Sequence, residues 1–363
     1  MSLHPVRERV AWNMRSGQTI IDVIVTTGCC MFLLTLVVLA VGCAVPGQSR
    51  QNCGNNIKQL ALGLQNYHDT FLYLPYGSRN RSVVGAAGAS WGSSWLVATL
   101  PFCEQRPLFD AMVEADNAAP ANDYQSAAVC KVADGKQLKY LVCQGSPLPP
   151  TQQFNGSKIV VPSYAGIMGS SLSTSRSKET RVSDGPYGGK ATAGGMLLVN
   201  EALTFAACTD GTAFEIIVGE VSNWYYDDKG AKRNLALSIA DAGDGAKKTA
   251  GWFAGNDLPM TSLGQGEIIP PTKIGPDSIF NLVSVAHPVN TNNRSGTGDT
   301  APNWGTEGVG RCGLNNPLSS AHGAGAMVGF LDGHVVFLSN NTNPEVLYML
   351  SCRDDGGALP KDF

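Results

Sequence analysis

His322, Asp332 and His334, close to the C-terminus, are of the residue types that ligate zinc or iron. A tight turn keeps positions 332 and 334 together, and a preceding loop can return position 322 to them. The competing account gives Asp332 to the turn and lets His322 cap or hydrogen-bond a neighbouring loop. We adopt it and assign no metal. His287, followed by Pro288, reads as structural in the same way. The acidic loop clusters Asp227 with Asp228 and Asp241 with Asp244 offer the hard oxygens that calcium takes, but neither has the spacing of an EF-hand loop, and both read as solvated loops. There is no Gly-x-Ser-x-Gly elbow, phosphate-binding loop, His-Glu-x-x-His pair or dinucleotide-binding glycine set. Nothing here argues for an enzyme or a cofactor.

The cysteines divide by place. Cys29, Cys30 and Cys43 fall in an apolar run near the N-terminus, while Cys53, Cys103, Cys130, Cys143, Cys208, Cys312 and Cys352 lie beyond it. In an oxidising compartment the second group allows up to three disulfides and a spare thiol, with a connectivity that spacing does not reveal. No Cys-x-x-Cys pair occurs, which leaves little support for zinc-ribbon or thioredoxin chemistry.

The element that positions everything else is that apolar run. From Ile20 to Val45, 25 of 26 residues carry no charge, Asp22 being the exception. As a helix the run is about 39 Å long, against about 30 Å of bilayer hydrocarbon. Its length exceeds the apolar core of an ordinary signal peptide. It reads as a membrane span, with the basic head (Arg7, Arg9, Arg15) inside and the rest of the chain outside. A carboxylate a few residues into such a helix marks either the headgroup zone or a contact. Leu39 to Cys43 loosely resembles a lipobox, so acylation of Cys43 is a rival that would remove the span.

Beyond the span, about 310 residues remain, enough for one large domain or two small ones. Gly (42) and Pro (20) are plentiful and charged residues are only 15%, which suits a loop-rich, β-containing domain. A net charge of -3 without basic blocks excludes nucleic acid as a partner. Pro46-Gly47 should kink or interrupt the helix. Helical periodicity then resumes, with Ile57, Leu60, Leu64, Tyr67 and Phe71 on one stripe that should pack on a β-sheet. Residues 91–102 read as a short helix or strand, and 108–115 as a helical turn. Strands are expected at 158–161, 196–199, 213–219 and 282–286, with a turn at Asp210-Gly211-Thr212 and Glu220 at a strand end. Two runs, 326–331 and 334–338, flank Asp332-Gly333 as a two-residue hairpin. Residues 77–92, 227–257 and 264–276 read as loops.

The basic leader, Gly17, Thr19, two aliphatics and Asp22 together resemble the cleavage site of type IV pilins and type II secretion pseudopilins. The resemblance implies cutting after Gly17 by a prepilin peptidase-like enzyme and Gln18 as the mature N-terminus. Asp22 would then be the carboxylate that pairs with the new amine during assembly. Gln18 stands where the family usually has Phe or Met, and Asp22 where it has Glu.

Cys53, Asn55, Asn56, Lys58, Gln59, Asn66, Tyr67, His68 and Pro75 resemble the start of the exported domain in a large paralogous family of pseudopilin-like proteins abundant in planctomycetes, whose function is unknown. Further blocks resemble it at Cys143, at Ser163 to Gly166, and from Cys208 to Val221 with Asp210, Gly211 and Glu220. A final block has His322 nine residues before Asp332 and Gly333. The resemblance leaves a disulfide centred on Cys53 or on Cys143 open.

The expectation is an α+β protein: a basic leader (1–17), a transmembrane helix (18–50) and an extracytoplasmic domain (51–363) whose helix packs on an antiparallel sheet. By resemblance it self-associates into a filament or secretion-related structure at the inner membrane or cell surface. The rival is an anchored binding protein that stacks a polysaccharide, or binds a solute, on Trp224, Tyr225, Tyr226, Trp252 and Trp304.

Overall fold

The computed structural model describes residues 19–80, 91–118, 123–172, 174–175, 179–184, 189–227, 229–235, 239–241, 247–249, 251–256, 279, 281–292, 307–310 and 314–356. The chain divides into two compact units, Met1–Gln48 and Ser49–Phe363. Helix α1 is assigned from Thr19 to Phe71, 53 residues. Pro46 and Gly47 do not end it. A proline removes one backbone hydrogen bond, and long helical stretches on either side sustain the rest. Among the described residues no helix is long and apolar enough to cross a membrane. The side chains of 34–48, over which the apolar run extends, lie outside them. So do Gly17, Gln18, Asp228, Asp244, Trp304, Cys312 and the loop 264–276.

In chain order, a small hairpin pairs β1 (Ser78–Asn80) with β2 (Trp91–Ser94). Helix α2 (Trp95–Thr99), a 3₁₀ turn at Leu100–Cys103, α3 (Arg106–Ala118) and α4 (Ala127–Ala133) follow. Residues 91–102 thus hold both a strand and a helix, and the helical turn near 108 is a thirteen-residue helix. Next come hairpin β3 (Thr151–Phe154) with β4 (Ser157–Val160), then β5 (Tyr164–Ser170), then hairpin β6 (Val182–Asp184) with β7 (Lys190–Thr192). Strand β8 (Ile216–Glu220) precedes two more hairpins, β9 (Trp224–Tyr226) with β10 (Lys232–Asn234) and β11 (Ile239–Asp241) with β12 (Lys247–Thr249). The segment 227–257, read as loop, therefore contains strands. Strands β13 (Leu282–Val285), β14 (Gly325–Phe330) and β15 (Val335–Ser339) and helix α5 (Pro344–Met349) close the fold.

The central sheet runs β13-β5-β8-β14-β15. It is antiparallel except for β13, which lies parallel to β5, so the purely antiparallel expectation is corrected at one edge. Every residue of β5, β8, β13 and β14 is buried, which means both faces are covered. Along β14, Met327 faces the cluster containing Cys53, Ile57, Leu60 and Leu64 of α1, while Ala326, Val328 and Phe330 face the cluster built on α5. The period-2 alternation of a strand places these two sets on opposite faces. The sequence run 196–199 is buried but forms no strand: Gly195 and Leu197 donate to Met168 and Ile167 outside a regular ladder. Residues 212–214 form a 3₁₀ turn, and β8 starts only at Ile216.

The helical stripe behaves as periodicity requires over Ile57, Leu60 and Leu64, which are wholly buried. Tyr67 is half-buried and Phe71 exposed, because α1 outruns the sheet there. Helix and sheet meet closely: a Cβ at Gly329 would lie 2.6 Å from Ile57 Cγ2. Leu72, with φ 66°, ends the helix, its amide donating to the His68 carbonyl. Ile57→Ala leaves a cavity at this contact and should lower unfolding free energy by about 2–4 kcal/mol. Leu62→Ala, at a side 41% exposed, should change it by less than about 0.5 kcal/mol. Urea unfolding of the full chain in detergent checks both.

Candidate functional site

One face of α1 carries Asn52, Cys53 and Asn56, and all three reach the segment 142–144. Cys53 is disulfide-bonded to Cys143, with Cα atoms 5.1 Å apart across 90 residues of sequence. Asn56 Nδ2 donates to the Val142 carbonyl at 3.0 Å and to the Tyr164 hydroxyl at 3.2 Å. Asn52 Nδ2 donates to Gln144 Oε1 at 2.7 Å. The Cys143 amide donates to Ser163 Oγ at 3.1 Å, which ties the segment to the start of β5. The disulfide that the sequence left open is therefore the joint between helix and domain. Among the described residues it is the one disulfide, and Cys103, Cys130, Cys208 and Cys352 are buried thiols.

Against this joint stand Glu220, the last residue of β8, and His322, in the loop before β14. His322 Nε2 lies 3.5 Å from Cys143 Sγ and 3.6 Å from Glu220 Oε1. The Glu220 carboxylate accepts from the Ser222 hydroxyl at 2.6 Å and from the Met327 amide at 3.1 Å. The His322 backbone is fixed by Ser320 Oγ, which accepts its amide at 3.1 Å. Gly145 lets the ring in, since a Cβ there would come within 2.9 Å of His322 Cε1. The 3.6 Å separation fits an ion pair, but burial favours neutral forms on both sides. It pushes Glu220 up to about 7, against the lowering by its two donors. Burial, and then the Arg50 charge, lowers His322. Desolvation dominates here, and the contact near neutral pH is a weakly charged one.

Three residues singled out in separate blocks, Cys53, Glu220 and His322, thus converge on one spot. Asp332 does not join them. Its carboxylate receives the His334 amide at 3.0 Å and contacts His334 Nδ1 at 2.5 Å, while its own amide donates to Thr212. The imagined cluster of 322, 332 and 334 is replaced by one of 53, 143, 220 and 322. The turn is also wider than expected: Phe330 donates to His334 across Leu331, Asp332 and Gly333, with Gly333 at φ 87° in the left-handed region that this loop needs. The other signature residues lie away from this spot. Asn55 is exposed. His68 stacks on Phe205 at 3.7 Å and accepts its amide. Asp210 accepts the Gly356 amide, and Gly211 has φ 103°. Asp22 is exposed on α1. Asp227 is buried against Arg233 at 3.0 Å, so the solvated-loop reading is corrected at this residue. Burial lowers His287 to about 4 and keeps it neutral.

A second feature escaped sequence reading. Tyr67, Phe71, Tyr73, Tyr76, Phe102 and Phe109 line a cleft of about 820 Å³, with Arg79, Arg106 and Asp116 at its polar positions. Along α1 it lies about 20 Å from Cys53. Its aromatics come from residues 67–76 and 102–109, which only the fold brings together. By contrast Tyr225 and Trp252, proposed as exposed stacking residues, are buried, and Trp224 and Tyr226 are half-buried.

Over residues 49–345 the chain matches the model of a protein family of unknown function, DUF1559. It belongs to that family. No curated protein and no solved structure matches it.

Breaking the joint should be costly. Cross-linking across 90 residues stabilises by about 4–5 kcal/mol in the loop-entropy account, so Cys143→Ser should lose that order of stability in chemical denaturation. Glu220 gives a pH signature. Below about 4.5 the carboxyl is protonated folded and unfolded, and between there and about 7 only the folded chain keeps the proton. Stability therefore falls as pH rises through that window, by on the order of 3 kcal/mol. Glu220→Gln should flatten this part of the thermal-melt profile; an unchanged slope would assign it to other groups.

Proposed function

We propose that this protein is a membrane-anchored, extracytoplasmic subunit of pilin-like build that self-associates through the N-terminal part of α1. The observation that carries the reading is the exposure of that part. Ile20, Val23, Ile24, Val25, Met31, Phe32 and Leu33 are 56–74% exposed on a helix whose later turns belong to the domain core. Each such side chain gains about 1–2 kcal/mol when removed from water, so the set favours a covered state by on the order of 10 kcal/mol. Lipid or the same helix of neighbouring subunits is the natural cover, and the resemblance of the Gly17–Asp22 region to prepilin sites supports the second alongside the first. In this reading Gly17 and Gln18 specify processing by a prepilin peptidase-like enzyme. Asp22 pairs with the terminal amine of the next subunit, and the DUF1559 domain faces outward. No catalytic step is assigned.

A second reading, an anchored binding protein, is favoured by the aromatic cleft. Rings there offer stacking faces to a sugar, and Arg79, Arg106 and Asp116 offer hydrogen bonds to its hydroxyls. Burial holds the Tyr67 hydroxyl up to about 12, so it remains a neutral donor.

The readings separate experimentally. Asp22→Ala in the full chain should abolish higher oligomers seen by cross-linking in membranes while leaving the circular dichroism of the domain unchanged; oligomers that persist would contradict assembly through Asp22. For the cleft, Phe102→Ala should weaken a β-linked hexose oligosaccharide about tenfold in calorimetric titration. No heat of binding with the parent protein would remove that reading.

A further inference from the structure

The disulfide accounts for the sulfurs of Cys53 and Cys143, but not for the buried imidazole and carboxylate that converge on them. One ligand atom from each of Cys53, Cys143, Glu220 and His322 lies within 4.8 Å of all the others. The His322 and Glu220 side chains are 5% and 0% exposed. Among the described residues Glu220 is within ion-pair distance of His322 alone, with two neutral donors besides. A buried carboxyl either keeps its proton or, once ionised, is paired with a cation or bound to a metal.

The distances have a specific form. Tetrahedral zinc, at about 2.3 Å from sulfur and 2.0–2.1 Å from nitrogen or oxygen, sets its ligands about 3.6 Å apart for sulfur and nitrogen, and about 3.4 Å apart for nitrogen and oxygen. The structure has 3.5 Å from Cys143 Sγ to His322 Nε2 and 3.6 Å from that nitrogen to Glu220 Oε1. Two edges of the tetrahedron are already in place. The sulfur pair is shorter than a tetrahedral edge because the two atoms are covalently joined, and all the ligand atoms lie within 4.8 Å of one another.

We propose that Cys53, Cys143, His322 and Glu220 are the four ligands of a site for a thiophilic divalent cation, zinc foremost, which opens when the disulfide is reduced. Disulfide and metal are then two exclusive ways of closing the same joint between α1 and the domain. A dithiol supplies the two electrons and two protons: the protein disulfide becomes two thiols and the dithiol becomes a disulfide. Metal binding then releases both thiol protons, and the Glu220 proton where the carboxyl carries one, to solvent. It forms two metal–sulfur bonds, one bond to His322 Nε2 and one to a Glu220 oxygen. The mixed set of two thiolates, an imidazole and a carboxylate suits zinc better than calcium or magnesium, which take oxygen. The site is independent of the assembly reading, since every ligand lies after Ser49.

The test uses the full chain in detergent, with cobalt(II) as the spectroscopic probe for zinc. Protein reduced with a dithiol and desalted without oxygen is titrated with cobalt, and oxidised protein, which keeps every other thiol, is the blank. The expected result is a one-to-one complex of the reduced form, with thiolate-to-cobalt charge transfer and intense tetrahedral ligand-field bands, displaced by zinc. His322→Ala should weaken it more than about 100-fold, beyond the 10- to 100-fold typical of an outer-shell loss. If reduction or the substitution unfolds the chain, circular dichroism must show cobalt restoring structure to reduced parent protein but not to the variant. Equal spectra for reduced and oxidised protein, or an unchanged affinity in His322→Ala, would overturn the proposal.

Discussion

The close seating of the later turns of α1 on the central sheet is the constraint on which the remaining structure depends. Gly329 brings β14 within reach of Ile57, and a Cβ at Gly54 would stand 3.0 Å from Met327 Cε. Over these contacts the helix replaces solvent on one face of the sheet, allowing every residue of β5, β8 and β14 to be buried. The Cys53–Cys143 bond and the hydrogen bonds of Asn52 and Asn56 then fix which part of the domain lies beside the helix. Side-chain packing sets the distance and the polar contacts set the register.

Electrostatics around the joint follow from the same burial. Glu220 ends a strand inside the core and so cannot be hydrated; it relies on Ser222, Met327 and His322. Glu215 is also fully buried, and desolvation raises it well above the usual carboxylate range, against the nearby Arg353 charge, which lowers it. Fully buried glutamates are unusual in a fold core. At Glu220 the convergence of sulfur and imidazole turns that cost into a potential binding site. At Glu215 the neighbouring Cys208 and Cys352 are thiols, and among the described residues no metal-ligand cluster forms there.

What the sequence revealed was local. The period of Ile57, Leu60 and Leu64 marked the buried face, since a helix repeats every 3.6 residues wherever it packs. The Asp332-Gly333 pair marked the hairpin, although its loop holds one residue more than the dipeptide suggested. Strand β13 was found, but its parallel pairing with β5 was not, because a short apolar run carries no mark of direction. The cysteine pairing was beyond reach for the same reason: ninety residues separate the partners, and only the folded topology brings them together. The motif spacing drew attention to His322 with Asp332, yet a loop turned the imidazole toward Glu220 and Cys143. In the sequence Tyr67 and Phe71 read as part of a core stripe, and only the fold shows them in a cleft with residues 102–109, whereas Tyr225 and Trp252 serve the core.

The central claim is that the exposed apolar turns of α1 belong to a processed, membrane-anchored stem. Its most direct test is the intact mass and N-terminal sequence of the protein isolated from its native membrane. The account predicts a chain beginning at a methylated Gln18, recovered with the membrane fraction and released by detergent. A chain beginning at an acylated Cys43, or one that retains Met1 and remains in the soluble fraction, would contradict it.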